Sequence, residues 1–580
     1  MNLRKAALGT GAGLLVLLLA AAIAVKVMID PERLKQAARD KVRKAWAREL
    51  TLADVRLEFT PLPTVTARDI AVGEPDEPAM RAAALIADLE LVPLLLGEAR
   101  YRTIYIRDAT IERDGNVWRI DEGRVESGPN LHNVKLSASL WRNRRPVGLV
   151  AEFDDLSALG QDGASTRGRI ELEWNEAKLV AAGRMPLDGT LEGHELKVEL
   201  GGQSLKGLLD FFGIERRPTA PFALSFASRE AEGIIELSDL VVALGRVRLQ
   251  GKGRYRPAPQ PEVDLTLRGD RLDWARTYLD AGGEPAPPPV PPEMFHDTPL
   301  AWWVATGLRG YRGKMDLRLG TFILRNGVEL TDFRTQVHFD DDQLALEPFE
   351  TRMLGGQARG VVRLDGGRKR VRFDFEGSNL LLERWLRERG SKTAFKGGPM
   401  KVTAKLESGG NSMRQLVGAM NGPLRIRMGP GVLDNPRAGT AESKLTGSGG
   451  EGESQAVKFE CVGFNLPFKS GRASGERLIG ARTDSSHIVT SGLVDMGTQQ
   501  IDLRGRMKGR RGVNLASIAG DVKFTGTTRQ PRMSLDEDAR GKVVARGAIA
   551  VATLGLSAIG TSAADAEEGR RTDPCEVVFR

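Results

Sequence analysis

Apolar and charged residues alternate one for one in several runs between residues 313 and 386. In Lys314-Met-Asp-Leu-Arg-Leu319, a period of two places the apolar residues on one face of a strand and the charged residues on the other. Thr335-Gln-Val-His-Phe339 and Arg370-Val-Arg-Phe-Asp-Phe375 repeat the pattern, and turn residues separate the runs. We therefore predict an antiparallel meander with one apolar and one solvated face. The predicted apolar positions are Met315, Leu317, Leu319, Val337, Phe339, Val371, Phe373 and Phe375.

Similar alternating runs occupy residues 51–281 and 300–535, so the chain is predicted to be mostly β. Residues 282–299 separate these two segments and include Pro285-Ala-Pro-Pro-Pro-Val-Pro-Pro292, which cannot join a ladder and predicts an extended linker. The 67 glycines and the low aromatic content of 6% fit many short strands joined by tight turns.

One strand template recurs at irregular intervals, with an apolar residue at every second position, then glycine and, three residues later, leucine. Val263 to Leu272 and Val371 to Leu380 are two copies, and each leucine begins a short amphipathic run. This repetition predicts a long sheet in which strands end at a glycine turn and are followed by short helical insertions.

The N-terminus has the pattern of a membrane anchor. Residues 1–5 carry two basic side chains, and residues 6–25 contain no charge, which is long enough to cross a bilayer core as a helix. The positive-inside rule places residues 1–5 in the cytoplasm and the bulk of the chain in the periplasm. A cleavable signal peptide ending near Ala22-Ile-Ala24 is the alternative.

Two further helices are predicted near the ends of the chain. Residues 30–50 begin with Asp30-Pro31-Glu32, a helix-start signal, and continue with apolar residues at helical spacing opposite a densely charged face. This helix can lie on the membrane surface or cap the first strands, and the two placements are compatible. Residues 536–580 are predicted to form a helix and a tail that cap the end of the sheet.

The composition gives little support for catalysis or for nucleic-acid binding. The net charge of +8 comes from 84 basic and 76 acidic residues that are interleaved throughout, without the basic helix or zinc pattern of a nucleic-acid-binding protein. The five histidines are scattered, and neither a metal-ligand spacing nor a nucleophile motif accompanies them. We therefore expect no enzymatic activity, no cofactor and no metal site.

Cys461 and Cys575 are the whole cysteine complement. In an oxidising exported compartment they can pair and tie the C-terminal tail to the sheet. Cys461 also occupies an apolar position of its strand, so an inert buried thiol is the alternative.

The order of several segments resembles the AsmA family. The matching segments are Pro61-Leu-Pro63, Asp69-Ile-Ala-Val72, Leu91-Val-Pro-Leu-Leu-Leu-Gly97, Ile104-Tyr-Ile-Arg-Asp-Ala-Thr-Ile111, Leu344-Ala-Leu-Glu-Pro-Phe349, Leu354-Gly-Gly-Gln-Ala-Arg-Gly360, Asn411 to Gly422, and Asp573-Pro-Cys575. The resemblance implies an inner-membrane-anchored protein, similar to bridge-like lipid carriers, that works toward outer-membrane assembly. It also assigns residues 300–535 to the family's C-terminal β segment.

Two functions are compatible with a long sheet that has one apolar face. In the first, the sheet curves into a groove, the eight apolar positions line it, and phospholipid acyl chains bind there during transport between the inner and outer membranes. About 30 strands at about 4.8 Å would make such a groove roughly 140 Å long. In the second, the apolar faces close on each other as β-sandwiches, and the protein is a non-transporting scaffold for outer-membrane protein assembly. The alternation has the same period in both.

Overall fold

The structure is a computed structural model, in which the described part of the chain is mostly β. It describes residues 35–36, 39–40, 49–59, 63–73, 78–90, 101–113, 116–142, 145–159, 161–174, 176–188, 190, 192–206, 220–274, 276–277, 295, 297, 300, 302–324, 327–388, 394–434, 456–483, 486–509, 521–528, 531–535 and 573–580. The chain divides into two compact units, residues 1–257 with 277–283 and residues 258–276 with 284–580.

The first unit is a meander in which each strand pairs antiparallel with the next. Its strands are β1 Leu50–Phe59, β2 Pro63–Gly73, β3 Pro78–Leu89, β4 Tyr101–Arg113, β5 Asn116–Glu126, β6 His132–Arg142, β7 Arg145–Asp155, β8 Ser165–Trp174, β9 Ala177–Pro186, β10 Glu195–Gly202, β11 Phe222–Ala231, β12 Ile234–Leu244 and β13 Val247–Arg256. The buried core of this unit runs along β1 to β7, where Ile104, Ile106 and Ile120 are fully enclosed.

The second unit is also one sheet, and its pairing is antiparallel except between its first two strands. Its strands are β14 Glu262–Asp273, β15 Arg312–Ile323, β16 Glu329–Asp340, β17 Gln343–Met353, β18 Gly356–Asp365, β19 Arg370–Leu381, β20 Ala394–Gly397, β21 Pro399–Gly409, β22 Gly422–Met428, β23 Gly431–Asp434, β24 Ala456–Lys469, β25 Arg472–Thr483, β26 Ser486–Asp495, β27 Gln500–Gly509, β28 Asp521–Thr527 and β29 Pro531–Leu535. One of its core clusters lies mainly on β22 to β28, where Val462 and Ile488 have no exposed surface.

The helices among the described residues are short. Those described from end to end are α1 Trp303–Thr306, α2 Leu382–Glu388, α3 Met413–Gly418, α4 Pro574–Val577 and a 3-10 turn at Pro129–Leu131. None of the described helices is long and apolar enough to cross a membrane. The predicted anchor at residues 6–25 lies outside the described residues. Lys35, Gln36, Arg39 and Asp40 are helical within the predicted helix at residues 30–50, and β1 begins at Leu50.

The prediction of a mostly β chain with a long, unclosed sheet is confirmed. Among the described strands, neither unit closes its sheet by pairing its first strand with its last. One detail of the strand template was wrong, because the strands do not end at the glycine. β19 continues through Gly377 to Leu381 before α2 begins, and β14 continues through Gly269 to Asp273.

In β19 the template leucine, Leu380, follows the template glycine, Gly377, by three residues instead of two. The apolar residues after the glycine therefore change from odd-numbered to even-numbered positions. Asn379 adopts a φ of +53°, and the pairing of β19 with β21 shifts between Gly377 and Leu380. Asp and Asn tolerate this left-handed conformation better than other residues that carry a side chain. Residues of this type also have positive φ at Asp69 in β2, Asp108 in β4, Asp239 in β12 and Asp332 in β16. These residues return apolar side chains to the same face of the sheet.

The second departure from the prediction is the parallel pairing of β14 with β15. Parallel neighbours need a crossover connection, because the chain must return to the end of the sheet at which the first strand began. The connection here runs from Asp273 to Arg312 and contains the predicted linker at residues 282–299. Of that linker, only Phe295 and Asp297 are among the described residues.

The conformation of Asp108 generates a prediction about stability. We expect Asp108→Val to lower the free energy of unfolding by about 1–2 kcal/mol, because a β-branched side chain is strained at its φ of +48°. Asp108→Gly should be tolerated, because glycine adopts positive φ without a steric penalty. Urea unfolding of the full chain measures both changes. Equal stability of the two variants would contradict the role given to this residue.

Candidate functional site

The eight predicted apolar positions lie on one face of the second-unit sheet. Met315 lies opposite Val337 in the register of β15 with β16, and Val337 lies opposite Leu346 of β17. Leu346 then pairs with Val362 of β18, and Val362 pairs with Phe373 of β19. Because directly opposed residues of paired strands point to the same side, this series links the predicted residues of β15, β16 and β19. We call this side of β15 to β19 the apolar face.

The apolar face is only partly covered by the protein. Leu319, Val337 and Phe339 are buried, whereas the other five predicted positions are half-buried. Those five are Met315, Leu317, Val371, Phe373 and Phe375. Ala305, in the crossover between β14 and β15, packs against Val337 and Leu344. The protein therefore covers part of the apolar face and leaves large apolar side chains on the rest of it partly exposed.

Sequence reasoning missed the residues that β17 and β18 contribute to this face. They are Leu344, Leu346, Val362 and Leu364, and they occupy alternate positions as the predicted residues do. In β17 the register shifts between Leu346 and Phe349, so that strict alternation does not continue along the strand. The sequence did contain a signal for these residues, because apolar side chains alternate in the short runs Leu344-Ala-Leu346 and Val362-Arg-Leu364.

Phenylalanine rings form a row across strands β15 to β19. Phe322 and Phe333 have ring centroids 5.1 Å apart, Phe333 and Phe349 are 6.5 Å apart, and Phe349 and Phe375 are 6.4 Å apart. Phe373 stacks on Phe375 at 5.6 Å and completes the row. Such spacings are typical of favourable aromatic pairs. The row was not predicted, because it depends on which residues the register brings together.

Gly360 of β18 makes this row possible. It lies directly opposite Phe349 on one side and Phe375 on the other. A Cβ at this position would lie 2.8 Å from the ring of Phe349 and 2.1 Å from the carbonyl oxygen of Asp374. The neighbouring rings therefore cover the glycine backbone, and a side chain there would displace them.

The opposite face of these strands is charged, and some of its charges form ion pairs. Arg359 donates to Glu376 at 2.7 Å, and Arg372 donates to Glu407 at 3.1 Å. The hydrogen bond from Arg359 holds the pKa of Glu376 below its usual value. Such exposed pairs each contribute little stability, so their main consequence is that this face is solvated.

His338 lies on this charged face, as its position in the alternation predicted. Its Nε2 is 3.0 Å from Oε1 of Gln336, and the side chain is exposed. A shallow hollow of about 500 Å³ lies beside it over Ala345 and has Arg363 in its wall. Arg363 is hydrogen-bonded to Glu347, so this charge is already neutralised by a neighbour.

His194 and Ser228 form a pair that the sequence did not indicate. Nε2 of His194 lies 2.5 Å from Oγ of Ser228, and both side chains are buried. His194 immediately precedes β10 and Ser228 lies in β11, the strand that pairs with β10, and both side chains are enclosed rather than open to a substrate. We interpret this contact as a hydrogen bond between buried polar groups, which burial normally requires.

The two cysteines form a disulfide between β24 and the C-terminal turn. The Cα atoms of Cys461 and Cys575 are 6.3 Å apart, and 114 residues separate them in sequence. The Asp573 side chain caps α4 by accepting a hydrogen bond of 3.0 Å from the Cys575 amide. Asp573 and the two sulfurs lie within 4.8 Å of one another, but sulfurs bonded to each other are not the thiolates that bind metals.

Two glycines allow the C-terminal turn to lie directly on the sheet. Gly463 of β24 pairs with Gly480 of β25. A Cβ at Gly480 would lie 2.2 Å from the Pro574 carbonyl oxygen, and one at Gly463 would lie 2.9 Å from the Val578 side chain. Gly463 and Cys461 face away from Val462, which belongs to the buried core, so the turn packs on the outer face of the sheet.

Polar contacts add to this docking. Nδ2 of Asn465 donates to the Val578 carbonyl at 2.7 Å, and Arg427 pairs with Glu576 at 2.9 Å. The same guanidinium lies 4.9 Å from the ring centroid of Phe579. The C-terminal turn is therefore held by one covalent bond and by several side-chain contacts.

Comparison with known proteins identifies the family of this chain. A sequence profile of the AsmA family matches residues 1–141 and 296–478, which together make up more than half of the chain. The chain belongs to the AsmA family. The AsmA-family protein YhjG of Escherichia coli (strain K12) is 23% identical over 413 residues, which cover 64% of this chain and 58% of YhjG. The match thus spans less than two thirds of YhjG's own length. No solved structure matches the chain.

In this AsmA-family chain, the second matched range contains the whole apolar face and Cys461, whereas Cys575 lies beyond it. The C-terminal turn at residues 573–580 lies outside both matched ranges.

The disulfide generates a prediction. We expect Cys575→Ser to lower the free energy of unfolding by about 4–5 kcal/mol, because the bond closes a loop of 114 residues. The double variant Cys461→Ser/Cys575→Ser should lose about the same amount, since both variants remove one bond. Urea unfolding checks the stability, and intact mass before and after reduction checks the bond. Alkylation of free thiols in the unreduced protein would contradict it.

Proposed function

We propose that the protein is a membrane-anchored carrier whose apolar face binds phospholipid acyl chains and supports phospholipid transport between the inner and outer membranes. The observation that carries this proposal is a sheet face linked strand by strand through apolar residues, on which Leu317 and Phe373 remain half-buried. Acyl chains are apolar, flexible and long enough to follow such a face across several strands. Outer-membrane assembly would depend on this supply of lipid.

The energetics favour a ligand over open water at this face. Fully burying a leucine or phenylalanine side chain stabilises by about 1.5–3 kcal/mol relative to full exposure. Several neighbouring half-buried side chains of this kind together form an apolar patch, and exposed patches of that sort mark binding sites in soluble domains. The charged opposite face remains in water, so the sheet is suited to separate an apolar ligand from solvent.

The location follows from the N-terminal sequence. Residues 6–25 would anchor the chain in the inner membrane, and residues 1–5 would remain in the cytoplasm. The bulk of the chain would then lie in the periplasm, where a disulfide such as Cys461–Cys575 persists. The partners in this proposal are phospholipid, the inner membrane and the outer membrane or its assembly machinery, and the role requires neither enzymatic activity nor a cofactor.

A second candidate function has its own support. Many apolar side chains of β24 to β27 are buried, and Val462 and Ile488 are fully buried. A closed region of this kind suits a non-transporting scaffold for outer-membrane protein assembly. The half-buried side chains of β15 to β19 favour the carrier for that part of the sheet.

The carrier proposal predicts which residues contact lipid. Membranes that contain the full chain are loaded with phosphatidylethanolamine carrying a diazirine in its acyl chain, irradiated, and digested for mass spectrometry. We expect adducts at Met315, Leu317 and Phe373. Leu317→Asp should reduce the yield on this face about tenfold or more, because a carboxylate in an apolar environment is costly.

Arg318→Asp is the matched control. Arg318 is exposed on the opposite face, and its neighbours in register are Arg268 and Arg334, so that a carboxylate gains favourable partners. The yield of lipid adducts on the Arg318→Asp variant should equal that on the unsubstituted chain. Adducts confined to residues 6–25, or equal yields from the two variants, would overturn the proposed function and favour the scaffold.

A further inference from the structure

Part of the crossover between β14 and β15 packs on the apolar face. We call the described residues of this crossover from Phe295 onward the strap, which consists of Phe295, Asp297, Leu300 and residues 302–311. We infer that the strap covers one end of the lipid-binding face and that its displacement admits acyl chains there. This inference rests on the proposed function and adds a segment of the chain that competes with lipid for the same surface.

The C-terminal half of the strap packs on the apolar face. Ala305 is 1% exposed and shares a cluster with Val337, 5% exposed, and Leu344, 8% exposed. Leu308 adds a second apolar side chain to the same cluster. A Cβ at Gly366, in the turn between β18 and β19, would lie 3.0 Å from the Ala305 Cβ, so the strap approaches this turn closely.

This half of the strap is fixed to the turn between β16 and β17. The Gly310 amide donates to Oδ1 of Asp341 at 3.0 Å, and the Asp341 amide donates to the Tyr311 carbonyl at 3.1 Å. Arg309 makes two hydrogen bonds with Asp342, at 3.0 and 2.7 Å. These contacts place a charge-assisted pair at the point where the strap leads into β15.

The other half of the strap is fixed to a different part of the sheet. The side-chain amide of Gln499 accepts from the Phe295 amide and donates to the Phe295 carbonyl, both at 2.9 Å. Gln499 is 2% exposed and lies in the turn between β26 and β27. Its turn is held by Asp495, which accepts from the amides of Gly497 and Thr498.

Three contacts to the end of β21 support the same half. The Leu300 amide donates to the Asn411 carbonyl at 2.9 Å, and Nε1 of Trp302 donates to the Gly410 carbonyl at 3.1 Å. Oγ of Ser412 donates to Oδ1 of Asp297. The strap is thus attached through specific hydrogen bonds that can break without unfolding any strand.

A seated strap and a lipid cannot cover Val337 and Leu344 together. Ala305 already occupies the volume over these side chains that an acyl chain would fill. Lipid binding therefore lowers the fraction of molecules in which the strap is packed on the face, and the packed strap lowers lipid binding there. A variant that weakens the attachment of the strap favours lipid at this end of the face. Phe373 is not part of the cluster beneath Ala305, so lipid there should be independent of the strap.

Gln499→Ala in the full chain tests this inference with the same diazirine-bearing phosphatidylethanolamine. We expect adducts at Val337 and Leu344 to increase about three- to tenfold, because two hydrogen bonds to the strap are lost. The yield at Phe373 should stay unchanged. Thr498→Ala is the matched control, since the Thr498 contact with Asp495 uses the backbone amide.

The double variant Asp297→Cys/Ser412→Cys gives a second test, in which a disulfide locks the strap to the end of β21. Ser412→Cys alone is its control, because Ser412 also caps α3. The locked form should lose adducts at Val337 and Leu344 and keep those at Phe373. Unchanged yields at Val337 and Leu344 in both tests, with Phe373 still labelled, would overturn the strap inference alone. Absence of labelling at every one of these positions would overturn the proposed function itself.

Discussion

A β-sheet with one apolar face must have that face covered, and the second unit of this protein covers parts of its face in two ways. At β24 to β27 many of the sheet's own apolar side chains are buried, among them Val462 and Ile488. At β16 and β17 the strap supplies Ala305 as a cover. On β15 and β19, Leu317 and Phe373 remain half-buried. This unequal covering, rather than any catalytic group, distinguishes one part of the sheet from another.

The alternation of apolar and charged residues was enough to predict the β class and to place eight residues on one face. It succeeded because side-chain direction in a strand depends only on local backbone geometry. It failed where the backbone leaves the ideal strand, as at Asn379, whose positive φ shifts the phase within β19. The spacing of three residues between Gly377 and Leu380 was visible in the sequence, but it was interpreted as the end of the strand.

The remaining features depend on contacts between distant residues. The row of phenylalanines requires the register that places Gly360 between Phe349 and Phe375. The strap requires Gln499 to meet Phe295, which lies 204 residues earlier. The sequence left open whether Cys461 forms a disulfide or is an inert buried thiol. The answer depends on the surface on which the C-terminal turn packs, and glycines on two different strands create that surface. No local pattern carries that information.

Acyl chains are proposed to cover the open part of the apolar face. Native mass spectrometry of the full chain, released from membranes in mild detergent, measures bound phospholipid. We expect phospholipid adducts on the unsubstituted chain and on Arg318→Asp, and fewer adducts on Leu317→Asp at equal folded content. The same number of adducts on all three proteins, or the bare protein mass throughout, would contradict it.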